Sequence, residues 1–259
     1  MDQFPAPPIP VEMLLLAYRS GIFPMADARD DPEVFWVEPR ERAILPLSGF
    51  RCSASLRKVI RQDRFRVTVD AAFGQVIAAC AEPRDEDGGS WISHRIEASY
   101  LALHKAGQAH SVECWHGGEL VGGLYGVAFD RVFCGESMFS RADNASKVAL
   151  AWLVALMRRA GYRLLDCQFM TGHLASLGAV EIPQARYMAL VAEAAGDPLM
   201  RLPGAYASVL SAAAAAAGAG AGEGAGAGAD AAPVARGEGE AAGASSPGKL
   251  IAQSFTQTS

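Results

Sequence analysis

No apolar run in this 259-residue chain approaches the ~18 residues that a membrane-spanning helix needs. Residues 1–10 have neither the basic start nor the apolar stretch of a secretory leader, so the expected location is the cytoplasm. Cysteine is scarce: Cys52, Cys80, Cys114, Cys134 and Cys167 are odd in number and show no paired spacing. That excludes a disulfide framework and fits reduced, buried thiols. Excess positive charge is also missing, since the net charge is −5. A uniformly basic nucleic-acid binder is therefore ruled out, although a local patch can still steer a phosphate backbone.

Such a patch is present. Arg51, Arg57, Lys58, Arg61, Arg64 and Arg66 lie within sixteen residues, and Asp63 is the single acid among them. At the other end of the chain, residues 211–247 are almost entirely Ala and Gly with scattered acids. Interleaved glycine costs a helix roughly 1 kcal/mol per position, and no aromatic or branched cluster offsets ordering there. A disordered tail is expected from residue 211 onward, with a folded unit over about residues 11–210, long enough to bury a real core.

Periodicity gives the elements between. Residues 12–20 read as a helix closed by Gly21, and residues 53–62 as a second with Ser53 as N-cap. Residues 66–69 suit a strand. Residues 72–80 place Phe73, Val76, Ile77 and Cys80 on one helical face, and residues 94–105 repeat the pattern until Gly107. Residues 110–116 alternate as a strand, Gly117-Gly118 suits a tight hairpin, residues 119–129 return, and Asp130-Arg131 turns into a third strand over 132–139. Asp143 or Asn144 is placed to cap a helix over 145–160, Gly161 ends it, and residues 163–169 form the next strand. A meander followed by a helix and a further strand makes an α/β (α+β) chain with a mixed sheet covered by helices.

Two segments of that sheet carry carboxylates in apolar surroundings: Phe133-Cys134-Gly135-Glu136-Ser137-Met138-Phe139-Ser140, and Asp166-Cys167-Gln168. An unpaired charge there is costly, so each carboxylate requires a partner, and a ligand is one candidate. On an extended strand Asp166 and Gln168 point to one face and Cys167 to the other. A carboxylate two residues from an amide can bond it and decide which amide atom faces a ligand.

These segments, together with Gly21-Ile22-Phe23-Pro24, Trp91-Ile92, Gly122-Gly123-Leu124-Tyr125-Gly126 and Asn144-Ala145-Ser146-Lys147, occur in an order that resembles the leucyl/phenylalanyl-tRNA–protein transferase family. The resemblance covers roughly residues 14–187. It implies a small N-terminal domain over 1–50, an N-acetyltransferase-like mixed-sheet domain over 51–210, and an Ala/Gly-rich tail over 211–259 that lies outside the likeness. It also implies an activity: transfer of Leu or Phe from Leu-tRNA or Phe-tRNA to the α-amino group of proteins with N-terminal Arg or Lys, marking them for degradation. A monomer is expected, with no membrane partner. Neither a metal nor an organic cofactor is called for, because the activated ester supplies the driving force.

Carried onto this sequence, the resemblance makes Gln168 and Asp166 the catalytic pair. Gln168 holds the attacking amine and Asp166 locks the Gln168 side chain, or else Gln168 accepts a proton relayed through Asp166. Glu136 becomes the carboxylate for the cationic acceptor terminus, with a plain ion pair to a neighbouring Arg as the structural alternative. Leu124, Met138, Phe133 and Leu153 become candidates for the Leu or Phe pocket, although apolar strand residues are more often simple core. Trp91 and Trp36 are candidates for stacking the 3′-terminal adenosine. The chain reads Phe35-Trp36 where family members often carry two tryptophans, which leaves open which of the two meets the base. Arg51, Arg57, Lys58 and Arg61 would contact the tRNA acceptor stem.

Other readings stand beside this one. An acyl-CoA-dependent N-acetyltransferase shares the implied fold, but residues 139–146 contain no glycine for a pyrophosphate turn. A thiol hydrolase using Cys134 or Cys167 with His110 or His173 lacks a third orienting group. Cys114 and His116 are too few for a zinc site. A tRNA-binding module without catalysis is the non-enzyme alternative.

Overall fold

The computed structural model describes residues 6–83, 89–220 and 246–256. The chain runs through α1 (Val11–Arg19), β1 (Phe23–Met25), β2 (Phe35–Val37), β3 (Glu41–Ile44), α2 (Ala54–Arg61), β4 (Arg66–Val69), α3 (Phe73–Cys80) and α4 (His94–Lys105). It continues through β5 (Ala109–His116), β6 (Glu119–Phe129), β7 (Val132–Ser140), α5 (Ala145–Ala160), β8 (Leu164–Gln168), α6 (Gly172–Ser176), β9 (Val180–Pro183), α7 (Gln184–Glu193), α8 (Leu202–Gly220) and α9 (Pro247–Gln253). β1 and β2 form a small antiparallel ribbon, and the other strands make one mixed sheet in the order β4-β5-β6-β7-β8-β3-β9. Among its paired neighbours only β7 and β8 run parallel, as the α5 crossover between them requires.

Local chemistry explains most of these boundaries. The Ser53 hydroxyl accepts from the Leu56 amide and opens α2 as expected. Gly117 and Gly118, with φ of 59° and 89°, form the β5–β6 hairpin, where L side chains would be strained. Asn144 departs from expectation. It adopts the left-handed region at φ 70° and makes no side-chain cap, and the Ser140 hydroxyl instead accepts from the Ser146 amide at 3.2 Å. Asn tolerates that backbone better than most residues, so its contribution is the bend into α5.

Two apolar cores lie on the two faces of the sheet. α5, buried nearly all round, packs with α2, α8 and α9 on one face, and α1, α3, α4 and α7 cover the other. The C-terminal part differs from the sequence expectation. α8 continues through residues 211–220, because Ala212 to Ala217 hold no glycine and extend a helix already anchored by Leu202, Ala205 and Val209. Residues 246–256 pack onto α2, with Ile251, Ala252 and Phe255 buried. The rest of the expected tail, residues 221–245 and 257–259, lies outside the described residues.

The sheet also takes β3 from the segment assigned to the N-terminal part. β3 sits between β8 and β9, with Ile44 opposite Asp166 and Ala43 opposite Gln168. An early piece of chain thus flanks the strand that carries both residues of interest.

Candidate active site

Asp166 is fully buried and so is Arg42 on β3. The guanidinium grips the carboxylate with both edges, Nε to Oδ1 at 2.9 Å and Nη2 to Oδ2 at 2.6 Å. Its remaining Nη1 donates to the Gly21 carbonyl at 3.0 Å, and its plane lies over the rings of Tyr187 and Phe23, 4.3 and 5.0 Å from their centroids. The Tyr187 hydroxyl donates to Oδ2 at 3.1 Å. Burial pushes the Tyr187 phenol far above its ordinary value, so it remains a donor. Asp166 therefore sits in a bidentate, charge-assisted lock.

The fourth donor to Asp166 reshapes the strand. The Gln168 backbone amide bonds Oδ1 at 2.9 Å, and the Phe169 amide bonds the Cys167 carbonyl at 2.7 Å. Between them Gln168 has φ of 59°. This is a γ-turn with positive φ, a strained conformation of the kind found at functional sites. Asp166 thus holds Gln168 by its main chain, whereas sequence reasoning placed the contact at its side chain.

The Gln168 carboxamide goes elsewhere. Nε2 donates to Glu136 Oε1 at 2.8 Å, while Oε2 accepts from the Tyr100 hydroxyl at 3.0 Å, and Tyr18 in turn bonds Tyr100. Glu136 is pushed up to about 7, first by burial and further by Asp166, against the lowering effect of the Tyr18 and Tyr100 hydroxyls and of Arg42. With Nε2 held by Glu136, no donor among the described residues reaches Oε1 of Gln168. That atom is a preoriented acceptor beside a cavity.

The cavity, about 420 Å³, is lined by Leu124, Met138 and Leu153 together with Trp91, Glu136 and Gln168. Six of the residues singled out from sequence therefore meet in one place. Phe133 does not join them. It is wholly buried in the core, its ring under Gly126, where a Cβ would approach Phe133 Cε1 to 2.5 Å. Trp36 also stays away. It pairs with Pro24, whereas Phe23 and Met25, the alternate residues of that strand, line the cavity. Phe23 and Met25 of β1 thus stand on the wall where Phe35 or Trp36 of β2 was expected.

Arg51, Lys58 and Arg61 are exposed, and Arg57 is half-buried with Nη2 on the Cys52 carbonyl at 3.3 Å. Among the described residues none of the four is paired with a carboxylate. They lie on and just before α2, outside the cavity lining.

Arg42, Tyr187, Tyr100 and Met25 were missed from sequence. Arg42 precedes the apolar run Ala43-Ile44-Leu45 and is as costly a charge as the carboxylates, which was a usable signal. The tyrosines carried none. His173 also lines the cavity, with its Nε2 buried and, among the described residues, without a hydrogen-bond partner. Burial and then Lys147 hold its imidazole below the ordinary value, and hence neutral near pH 7.

A fixed polar acceptor at the edge of a largely apolar cavity suits a group-transfer enzyme. Comparison with known proteins makes this specific. Residues 44–192 match the model of the leucyl/phenylalanyl-tRNA protein transferase family, and residues 8–40 match that of its N-terminal domain. A leucyl/phenylalanyl-tRNA–protein transferase of Novosphingobium aromaticivorans is 57% identical over 256 residues, covering 97% of both chains. One of Rhizorhabdus wittichii is 58% identical over 185 residues, 71% of this chain and 75% of its own. Another, of Rhodospirillum rubrum, is 54% identical over 183 residues, 71% of this chain and 86% of its own. The chain belongs to the leucyl/phenylalanyl-tRNA–protein transferase family and is an aminoacyltransferase.

Proposed function

We propose that the enzyme takes Leu or Phe from its aminoacyl-tRNA and joins it to the α-amino group of proteins beginning with Arg or Lys, marking them for degradation in the cytoplasm. The observation that carries this reading is the unengaged Gln168 Oε1, held at the rim of the apolar cavity by Glu136 and by the Asp166-anchored turn. The Leu or Phe side chain occupies the space between Leu124, Met138 and Leu153. Its ester carbonyl then lies toward Gln168, and the terminal adenine stacks on Trp91 with Met25 beside it.

The chemistry asks little of a base. An α-amino group with pKa about 7.7 to 8.0 is already roughly one-tenth neutral near pH 7, a penalty of ~1 kcal/mol. Positioning contributes about 7 to 11 kcal/mol. Gln168 Oε1 accepts an N–H of the incoming amine and points its lone pair at the carbonyl carbon. A C–N bond forms, the ester C–O bond breaks, and the ribose hydroxyl leaves with the proton that the amine loses. The bonding of Asp166 favours positioning over a proton relay, since its oxygens are engaged by Arg42, Tyr187 and the Gln168 main chain and none contacts the carboxamide.

Glu136 serves the same positioning through Gln168. It also supplies the negative potential for the Arg or Lys terminus, although at 8% exposure it meets that cation from beneath the surface. The small N-terminal part contributes β1 to the cavity wall and β3 to the lock on Asp166. Labelled leucine presented as Leu-tRNA with an Arg-terminal peptide tests the reading. Label in the peptide is expected with Leu-tRNA and not with acetyl-CoA as donor, and absence of product from intact Leu-tRNA would overturn it.

A further inference from the structure

The Ala/Gly-rich stretch leads to a segment that the reaction does not use. Residues 246–256 fold as α9 and a following turn and dock against α2, the helix that carries Arg57, Lys58 and Arg61. The fit is close. A Cβ on Gly248 would lie 2.1 Å from the Ile60 carbonyl oxygen, so only glycine lets the two backbones approach this far. The Gly248 amide donates to Asp63 Oδ1 at 2.8 Å, and the Phe255 ring packs on Phe50 with centroids 5.3 Å apart. Arg158 of α5 lies over the Phe255 ring and reaches the Ser254 carbonyl at 3.3 Å.

This docking has two effects on α2. Leu56 and Ile60 face a core to which Ile251, Ala252 and Phe255 contribute, so the orientation of the helix depends in part on the segment. Asp63, the single acid of the basic run, is bonded into the α9 contact. The cations of α2 are left on the outer side, with Lys58 and Arg61 exposed. Both effects favour a polyanion lying along that helix.

We propose that residues 246–256 act as a brace for the RNA-facing helix: they set the affinity for the body of the tRNA without touching the aminoacyl ester or the acceptor amine. The proposal rests on the reading of α2 as an acceptor-stem contact. It predicts that damage at the α9 contact separates binding of whole tRNA from transfer of the aminoacyl group.

The test uses the full-length chain with Gly248→Val, Phe255→Ser and Phe255→Leu, each checked by thermal melting. Two donors are compared at several salt concentrations: intact Leu-tRNA, and a leucyl-adenosine that has no acceptor stem. Gly248→Val and Phe255→Ser are expected to bind Leu-tRNA roughly tenfold more weakly, with the dependence of log K on log salt flatter by about one or two units, as loss of one or two phosphate contacts requires. Transfer from leucyl-adenosine stays at the wild-type rate, and Phe255→Leu, which keeps the apolar contact, keeps wild-type tRNA affinity. Unchanged Leu-tRNA affinity in both disruptive variants overturns the proposal. So does an equal fall with both donors, which would mean general damage to the fold. The combined Arg57→Ala, Lys58→Ala and Arg61→Ala variant tells the two readings apart. If it binds Leu-tRNA as wild type does, the reading of α2 fails and the brace fails with it; if it weakens binding while the α9 variants do not, only the brace is lost.

Discussion

Replacing Asp166 with Asn separates holding the fold from holding Gln168, the residue proposed to position the amine. The substitution keeps shape but removes the charge, and its amide turns a donor toward the guanidinium of Arg42, which is fully buried. Leaving one partner of a buried pair uncompensated costs about 3 to 5 kcal/mol. Native domains have about 5 to 15 kcal/mol in reserve, so the variant still folds at room temperature. At about 2 to 4 °C per kcal/mol for a domain of this size, the melting temperature falls by roughly 6 to 20 °C. Activity measured well below that temperature falls mainly in kcat, because the Gln168 turn loses its anchor. In a second variant, Arg42→Met with Asp166→Leu, both charges go together, and apolar replacement of a buried pair is often neutral or stabilising. Only part of the lost stability should return, because the Gly21 carbonyl, the Tyr187 hydroxyl and the Gln168 amide lose their partners, and kcat should not recover. The measurements are circular-dichroism melts and labelled-leucine transfer from Leu-tRNA to an Arg-terminal peptide. Melting of Asp166→Asn within about 2 °C of wild type, or recovery of kcat in the double variant, would refute the reasoning; the 2 °C threshold corresponds to less than about 1 kcal/mol.

Glu136 gives a pH signature. Its folded value of about 7 lies above the ordinary carboxylate value, so the folded state holds the extra proton and wild-type stability falls as pH rises from about 4.5 to 7. Glu136→Gln should abolish that part of the fall, up to about 3 kcal/mol, in urea titrations at several pH values. Trp91→Ala should raise KM for Leu-tRNA by the ~1 to 3 kcal/mol of a base stack, while Trp36→Ala stays near wild type in the same assay. Leu153→Phe narrows the cavity and should favour Leu over Phe as the transferred residue by at least about tenfold, read as a ratio of kcat/KM with the two donors. Gly126→Ala, whose Cβ would lie 2.2 Å from the Cys134 carbonyl oxygen, should lower the yield of folded protein rather than change kcat per active site.

What could be read from the sequence follows the range of the forces involved. Helix α5 was legible to its end residues, since the glycine after it and its apolar repeat are local signals. The β5–β6–β7 meander was legible from its turn residues. β3 was not, because its pairing with β8 spans over a hundred residues and leaves no local period. Gln168 shows the same limit at the site. Strand alternation gave the right neighbourhood, but the positive φ is imposed by Asp166 and the β3 lock, which only the assembled sheet provides. The helical part of the expected tail was hidden for another reason: composition averaged over residues 211–247 masked the glycine-free Ala run at its start.

The insertion of β3 between β8 and β9 has a consequence for the order in which the molecule comes into being. β3 leaves the ribosome early, yet its partners end at Gln168 and Pro183. At about 5 to 20 residues per second, some 140 further residues take roughly 7 to 28 s to appear. For most of that interval Asp166 and Gln168 have not yet been made, so Arg42 lacks the carboxylate it grips in the finished fold. Until β8 has been made and has paired with β3, the chain lacks the site proposed for transfer. The proposed site is complete only when the late strands β8 and β9 close on either side of the early strand β3.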